Sequence, residues 1–214
     1  MLRLSVNPFH PEPEVIRTAA SRIASGGVVA YPTDTLYGLG ADPYNAKGVA
    51  QVFAIKGRGE DRPLPLIAGS MEAAGQVGQL SPLAMRLAGT FWPGPLTLVV
   101  RADTRVVHEV HGGTHLVGIR VPAHAVARAL ARAAGGVLTA TSANRSGSPA
   151  SSDPDEVARL AASGLETLLD GGLSPGGPPS TIIDVTGASP ALLRDGAVPW
   201  ERVLEFLEQA GSAD

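Results

Sequence analysis

Short apolar runs bounded by glycine or proline alternate with stretches of helical periodicity along almost the whole chain. Residues 2–6 alternate apolar and polar positions and predict a short strand. Residues 11–25 predict a helix, because Val15, Ile16, Ala19, Ala20 and Ile23 recur at helical spacing before Gly26-Gly27 stops it. A buried strand over 28–31 then runs into a polar, glycine-rich loop at 32–40. Residues 46–55 predict a helix with Val49, Val52 and Phe53 on one face, and a charged loop follows at 56–63. Residues 64–68 read as a strand interrupted by Pro65, hence an edge or a bulge. Ser81-Pro82 opens a helix to Ala88 with serine as cap and proline first inside. Strands are predicted at 96–101 and 116–121, a helix at 125–133 that Gly135-Gly136 ends, and a strand at 137–140 that feeds the polar segment 141–147. Asp153-Pro154-Asp155-Glu156 reads as a capping box opening a helix to Ala162. Short strands at 165–169, 181–185 and 191–194 and a helix at 200–210 complete the pattern.

Strands alternating with helices and no break in composition predict an α/β fold, one domain, with a twisted mixed sheet. Several strands are continuous apolar runs, as expected where both faces are covered. The 214 residues, 44% of them hydrophobic, suffice for one sizeable core, and the Gly/Pro-rich stretch 170–179 is too short for an interdomain linker. With 26 glycines and 18 prolines the chain is no coiled coil or simple bundle, and with no cysteine it has no disulfide, thiolate site or cysteine nucleophile. A net charge of −3 weighs against coating nucleic acid by bulk charge. No apolar run approaches the roughly 20 residues that cross a bilayer, and the N-terminus has no signal-peptide core; the expectation is a soluble cytoplasmic protein. Only Lys47 and Lys56 are lysines, the other basic residues being arginines, so a lysine beside a loop draws notice.

The sequence has no P-loop, no dinucleotide fingerprint and no Gly-x-Ser-x-Gly elbow. His111 and His115 stand four apart, but Gly112-Gly113 between them argues for a histidine-bearing surface loop over a metal site. Three polar loops each follow an apolar segment, and in an open α/β sheet such loops converge on a ligand crevice. Lys56, Arg58 and Arg62 lie among glycines, and a lysine point charge with arginine forks suits a polyphosphate; the same loop, with Glu60 and Asp61, also fits a solvated surface. Thr33 and Thr35 offer two hydroxyls beside Asp34, or an ordinary turn with a local cap. Thr141-Ser142-Ala143-Asn144 offers small donors and acceptors, or a capping segment. Arg120 ends an apolar strand, where a charge is paired or faces a ligand; Arg194 is a similar, weaker case. Together these loops suggest a site for an anion-bearing small molecule, with a nucleotide the leading candidate.

Tyr31-Pro32-Thr33-Asp34-Thr35-Leu36-Tyr37-Gly38-Leu39-Gly40, Lys56-x-Arg58, Trp92-Pro93-Gly94-Pro95-Leu96-Thr97, Arg120-Val121-Pro122, Ser142-Ala143-Asn144-x-Ser146-Gly147, Ser180-Thr181-Ile182-Ile183-Asp184 and Leu193-Arg194-x-Gly196 occur in that order. In this the sequence resembles the YrdC family, the threonylcarbamoyl-AMP synthases, over about residues 10–205. The resemblance implies a YrdC/RibB-like single domain (1–214), a large twisted mixed sheet flanked by helices around a deep basic cavity, in the short form without the extra C-terminal domain of longer members. It implies the reaction of L-threonine, bicarbonate and ATP, with Mg2+, to threonylcarbamoyl-AMP and pyrophosphate, the product serving a separate transferase complex that modifies tRNA. Lys56, Arg58 and Arg62 would grip phosphates, Lys56 and Arg58 stabilising transition-state charge. Ser142, Asn144 and Arg194 match positions near the nucleotide. Thr33, Thr35, Arg120, Ser180 and Thr181 match the threonine side, with Arg120 the partner of its carboxylate. No resident metal is implied. Two departures stand out: Ile67 lies about where some members carry a histidine, and Ala150, followed by Ser151, where many carry a serine. A YciO-like paralogue with another substrate and an RNA-binding module of the same fold are the competing readings.

Overall fold

The computed structural model describes residues 1–59 and 62–211; Glu60 and Asp61 of the charged loop, and residues 212–214, lie outside the described residues. β1 (Leu2–Ser5) leads into α1 (Pro13–Ala24), which opens on proline and buries Ile16, Ala19, Ala20 and Ile23 along one face. β2 (Val29–Tyr31) follows, and then β3 (Gly38–Gly40) stands where the glycines predict loop. The reason is steric. A Cβ at Gly40 would lie 2.8 Å from Cε1 of Tyr31, and one at Gly38 3.1 Å from its Cζ. The bare backbone makes room for the buried Tyr31 ring, whose hydroxyl donates to the carbonyl of Thr139 at 3.0 Å.

α2 (Ala46–Lys56) is capped by Asn45, whose side chain accepts from the amides of Lys47 and Gly48, and it ends on left-handed Gly57 (φ 62°). It runs one residue further than the periodicity predicts, so Lys56 belongs to the helix. β4 (Leu66–Ala68) is an interior strand, not the edge that Pro65 suggests. Pro65 sits just ahead of it and offers only its carbonyl, which accepts from Ala140 at 2.7 Å, so the missing N–H costs nothing. α3 (Met71–Val77) and β5 (Gly78–Gln79), which the pattern does not single out, precede α4 (Pro82–Phe91), capped by Ser81 as predicted. β6 (Leu96–Ala102), α5 (His108–His111), β7 (Leu116–Arg120), α6 (Ala125–Ala133), β8 (Val137–Thr139) and β9 (Thr141–Ser142) follow. α7 (Pro154–Ala158) is capped by Asp153, which accepts from Asp155, and tightens into a 3-10 turn at Arg159–Ser163. β10 (Thr167–Asp170), β11 (Thr181–Asp184), β12 (Ala191–Arg194) and α8 (Trp200–Gly211) close the fold.

The mixed α/β prediction holds, but the strands divide between two sheets. One has the order β1-β10-β2-β3-β9, parallel through β1, β10 and β2 and antiparallel through β2, β3 and β9. The other runs β12-β11-β6-β7-β4-β8, with β5 alongside β6; β11–β6 and β7–β4 are parallel and the other pairs antiparallel. β8 and β9 are consecutive, so the chain passes from the second sheet to the first across Ala140. The Thr139 amide donates to Ala41 at 3.0 Å, and its hydroxyl donates to Leu39 and accepts from Ala41. A large apolar cluster includes Leu39, Val49, Phe53, Leu66, Leu87, Leu98 and Ile119. A second unites α1 and α6 with Tyr31, Ile67, Leu138 and Leu169. Among the described residues no helix is long and apolar enough to cross a membrane.

Candidate functional site

The polar residues predicted from sequence gather in two knots, joined by the segment that follows β2. The first is built on the end of α2. Lys56 is buried, and its ammonium donates to the carbonyls of Ser142 (2.7 Å) and Asn144 (3.1 Å) and to Oδ1 of Asn144 (3.0 Å). Ser142 Oγ donates to the same Oδ1 at 2.6 Å, and the Asn144 amide nitrogen donates to Ser148 at 2.5 Å. The main chain answers in kind, the Ser146 amide donating to the Lys56 carbonyl at 2.8 Å. Three protons meeting three acceptors means that the ammonium is fully used in fixing the 142–146 turn. Burial, and then the nearby charge of Arg58, pull Lys56 down to about 8. The Arg58 guanidinium lies 5.4 Å over the Phe53 ring and donates to the Arg62 carbonyl at 3.4 Å, while the Arg62 side chain is exposed. A cavity of about 420 Å³ opens behind this turn, lined by Asn144, Arg145, Ser148, Glu156, Arg159 and Ser163 among others.

The second knot sits on one row of the larger sheet. Arg194 is opposite Ile182, Ile182 opposite Thr97, and Arg120 opposite Ile67, with Leu98–Ile119 the adjacent pair. This register brings β12, β11, β6 and β7 to one place. Arg194 donates through Nε and Nη2 to the Ser180 carbonyl (3.0 and 2.7 Å), and through Nη2 to Ser180 Oγ at 3.0 Å. Thr97 Oγ1 shares a 2.8 Å hydrogen bond with that same hydroxyl. Gly196 permits the packing: a Cβ there would stand 2.3 Å from the Pro179 carbonyl and 2.7 Å from the Thr181 nitrogen. Burial, and then the charge of Arg120, hold Arg194 below its ordinary value. Gly118, two residues before Arg120, keeps the floor low, since a Cβ there would lie 3.1 Å from Thr97 Cγ2.

The 32–37 segment links the knots, since the Tyr37 carbonyl accepts from the Ala143 amide of the first at 2.8 Å and Asp34 reaches Arg120 of the second. Arg120 Nη1 meets Asp34 Oδ1 at 2.6 Å, both side chains largely buried, and Asp34 Oδ2 accepts from the Ala123 amide at 3.1 Å. Thr33 Oγ1 accepts from the Thr35 amide, donates to the Leu36 carbonyl and lies 3.2 Å from Thr35 Oγ1, which is the local cap that the sequence allows. Over this segment runs a strap at 171–179. Gly176 donates to Thr35 and Ser174 to Ser152 (each 2.9 Å), and the Tyr37 hydroxyl donates to Gly172 at 2.7 Å and accepts from Gly171 at 3.1 Å. Thr181 stands apart from the other predicted residues: it is buried, and its hydroxyl is bonded on both sides to the main chain of Val198. Ser151 Oγ accepts locally from Asp153, and Ile67 is wholly buried. His111 Nδ1 accepts from the amides of Gly113 and His115, and among the described residues no group of three or more His, Asp or Glu is arranged to hold a metal ion.

Sequence reasoning passes over Asp34, Thr97 and Gly196. Each had a signal: an acid between two selected threonines, a threonine closing the Trp-Pro-Gly-Pro segment, and a glycine closing the last motif.

A family model described as Telomere recombination, covering Sua5, YciO and YrdC, matches residues 21–196. The chain belongs to the Sua5/YciO/YrdC family. Two curated relatives are named threonylcarbamoyl-AMP synthase. One, from Halorhodospira halophila, is 43% identical over 190 residues, covering 87% of this chain and 97% of its own. The other, from Pyrococcus abyssi, is 40% identical over 189 residues, covering 88% of this chain but only 56% of its own. The crystal structure of P. abyssi Sua5 complexed with L-threonine has a TM-score of 0.91 at 37% identity, covering 97% of this chain and 61% of that one. This Sua5/YciO/YrdC chain therefore spans little more than half the length of its P. abyssi relatives and nearly all of the H. halophila one.

Proposed function

We propose that this chain is an L-threonylcarbamoyladenylate synthase, a nucleotidyltransferase. The threonine amine and bicarbonate condense to a carbamate with loss of water, and a carbamate oxygen attacks the α-phosphorus of ATP. The P–O bond to the β,γ-unit breaks, and pyrophosphate leaves. The observation that carries this reading is the 43% identity to a synthase whose length the chain covers almost completely. The two knots support it, because they supply opposite needs of the reaction.

Arg58 and Arg62 take the phosphates, with Lys56 adding a buried positive charge beside them and holding Ser142 and Asn144 for the nucleotide. Charge spread over phosphoryl oxygens is stabilised by such fixed cations, without any side-chain nucleophile. Arg120, Thr35 and Ser180 face the amino acid, Arg120 donating to its carboxylate. Thr33 shapes the 33–35 turn, Thr181 holds the start of β11 through Val198, and Arg194 presents Ser180. Mg2+ arrives with ATP as its complex and screens the triphosphate. A basic cavity between the knots, a cytoplasmic setting and a downstream tRNA-modifying transferase complex belong to the same reading.

Mass spectrometry of the chain with ATP, Mg2+, L-threonine and bicarbonate tests it. The adenylate and pyrophosphate should form only when all are present, and their absence from the full mixture would overturn the proposal. The buried Ile67 at a position that some relatives fill with histidine favours one second reading, a YciO-like paralogue with another substrate. Complementation of a synthase-deficient strain separates the two.

A further inference from the structure

The Asp34–Arg120 pair is the one ion pair with both partners largely buried among those in the described residues. It joins positions 86 residues apart, and Asp34 uses both oxygens, one on Arg120 and one on the Ala123 amide. The acid therefore cannot rotate away without giving up two bonds. Around it stand Arg120, Arg194 through its electrostatic contact with Arg120, His124 at the head of α6, and Arg128, whose Nη1 donates to Pro122 at 2.7 Å. Burial holds His124 below its usual value, so at neutral pH it adds no charge. Arg194 directs Nε and Nη2 at Ser180. Three guanidinium groups, those of Arg120, Arg194 and Arg128, thus stand near the one carboxylate of Asp34.

We infer that Asp34 is a positioning and charge-setting residue: it fixes one side of the Arg120 guanidinium and offsets its charge, leaving the rest of the fork to donate to the carboxylate of the amino acid. This deepens the proposed function and rests on the reading of Arg120 as the carboxylate partner. Without Asp34 the buried Arg120, and Arg194 on the exposed strand β12 beside it, would have no fixed counter-charge. They would draw in small dianions, which compete with substrate, because an unpaired buried charge is strongly unfavourable until something neutralises it. A purely structural acid would give no such gain in anion affinity.

The probe is sulfate, with binding read from calorimetry and from melting midpoints at fixed ionic strength, for the wild-type chain, D34N, R120Q and D34N/R120Q. D34N should bind sulfate at least about tenfold more tightly than wild type, and the double variant should lose that gain because Arg120 carries it. An affinity for D34N within about twofold of wild type, or a gain that persists in D34N/R120Q, would overturn the inference. Should D34N be unfolded at low salt, millimolar sulfate should restore folding where chloride at equal ionic strength does not; equal rescue by chloride overturns it as well. Sulfate binding needs no turnover, so a chain that forms no adenylate would still answer this question.

Discussion

Lys56 holds its charge almost out of reach of water, against three protein oxygens. Two consequences follow at the scale of this residue. K56A removes both the charge and the anchor of the 142–146 turn, and adenylate formation should fall at least about 100-fold, the scale of losing a fixed contributor to transition-state electrostatics; quantitative mass spectrometry of the product measures it. The depressed ammonium also gives a pH signature. Its folded-state value of about 8 lies below the ordinary 10.5, so the folded chain releases this proton first. Charge on Lys56 disfavours the folded state fully below pH 8, and that penalty fades as the pH rises from 8 towards 10.5. Activity runs the other way, because the cation is the working form. kcat/KM should fall as the pH rises through about 8, and the fall should be absent from K56R if that variant retains activity. An alkaline limb unchanged in K56R would dissociate it from this lysine.

At the scale of elements, glycines decide where strands can go. G196A pushes a methyl group into the Pro179 carbonyl and the start of β11, with neither backbone free to yield. The variant should lose about 1–3 kcal/mol in chemical denaturation, typical of overpacking, and should disturb Ser180 and Arg194 together. A stability change near zero would show that β12 floats free of β11. The same glycine logic explains what the sequence hid. Gly38 and Gly40 read as loop because local propensity cannot see the Tyr31 ring that needs their missing side chains. Pro65 read as an edge marker because proline lacks a donor, yet here only its carbonyl is used. The starts of α4 and α7 were more legible, since Ser81 and Asp153 announce them by local hydrogen bonds that the sequence carries within a few residues, whereas the short α3 passed unseen although Ser70 caps it in the same way. The site divides similarly. Arg120 and Arg194 stood out as charges on apolar strands, and Lys56, Arg58 and Arg62 as cations among glycines, whereas Asp34 and Thr97 act through partners 86 and 83 residues away.

Across the whole molecule, the candidate site draws residues from both sheets, and the strap at 171–179 is held at Thr35, Tyr37 and Ser152. Tyr37 is its main clasp, donating to Gly172 and accepting from Gly171. Y37F keeps the ring and removes both bonds, so amide hydrogen exchange over 171–177 should quicken by about tenfold or more while α1 and α6 exchange as before; uniform quickening everywhere would point to general destabilisation instead. Beneath the strap the run from Val137 to Ser142 behaves differently. It is one stretch of backbone laced into two ladders, with a single residue, Ala140, between them, and that residue is itself bonded to Pro65. Hinge-bending of one half of the molecule against the other would have to tear this seam, so the protein body is a stiff platform and any gating of substrate entry falls to its surface segments.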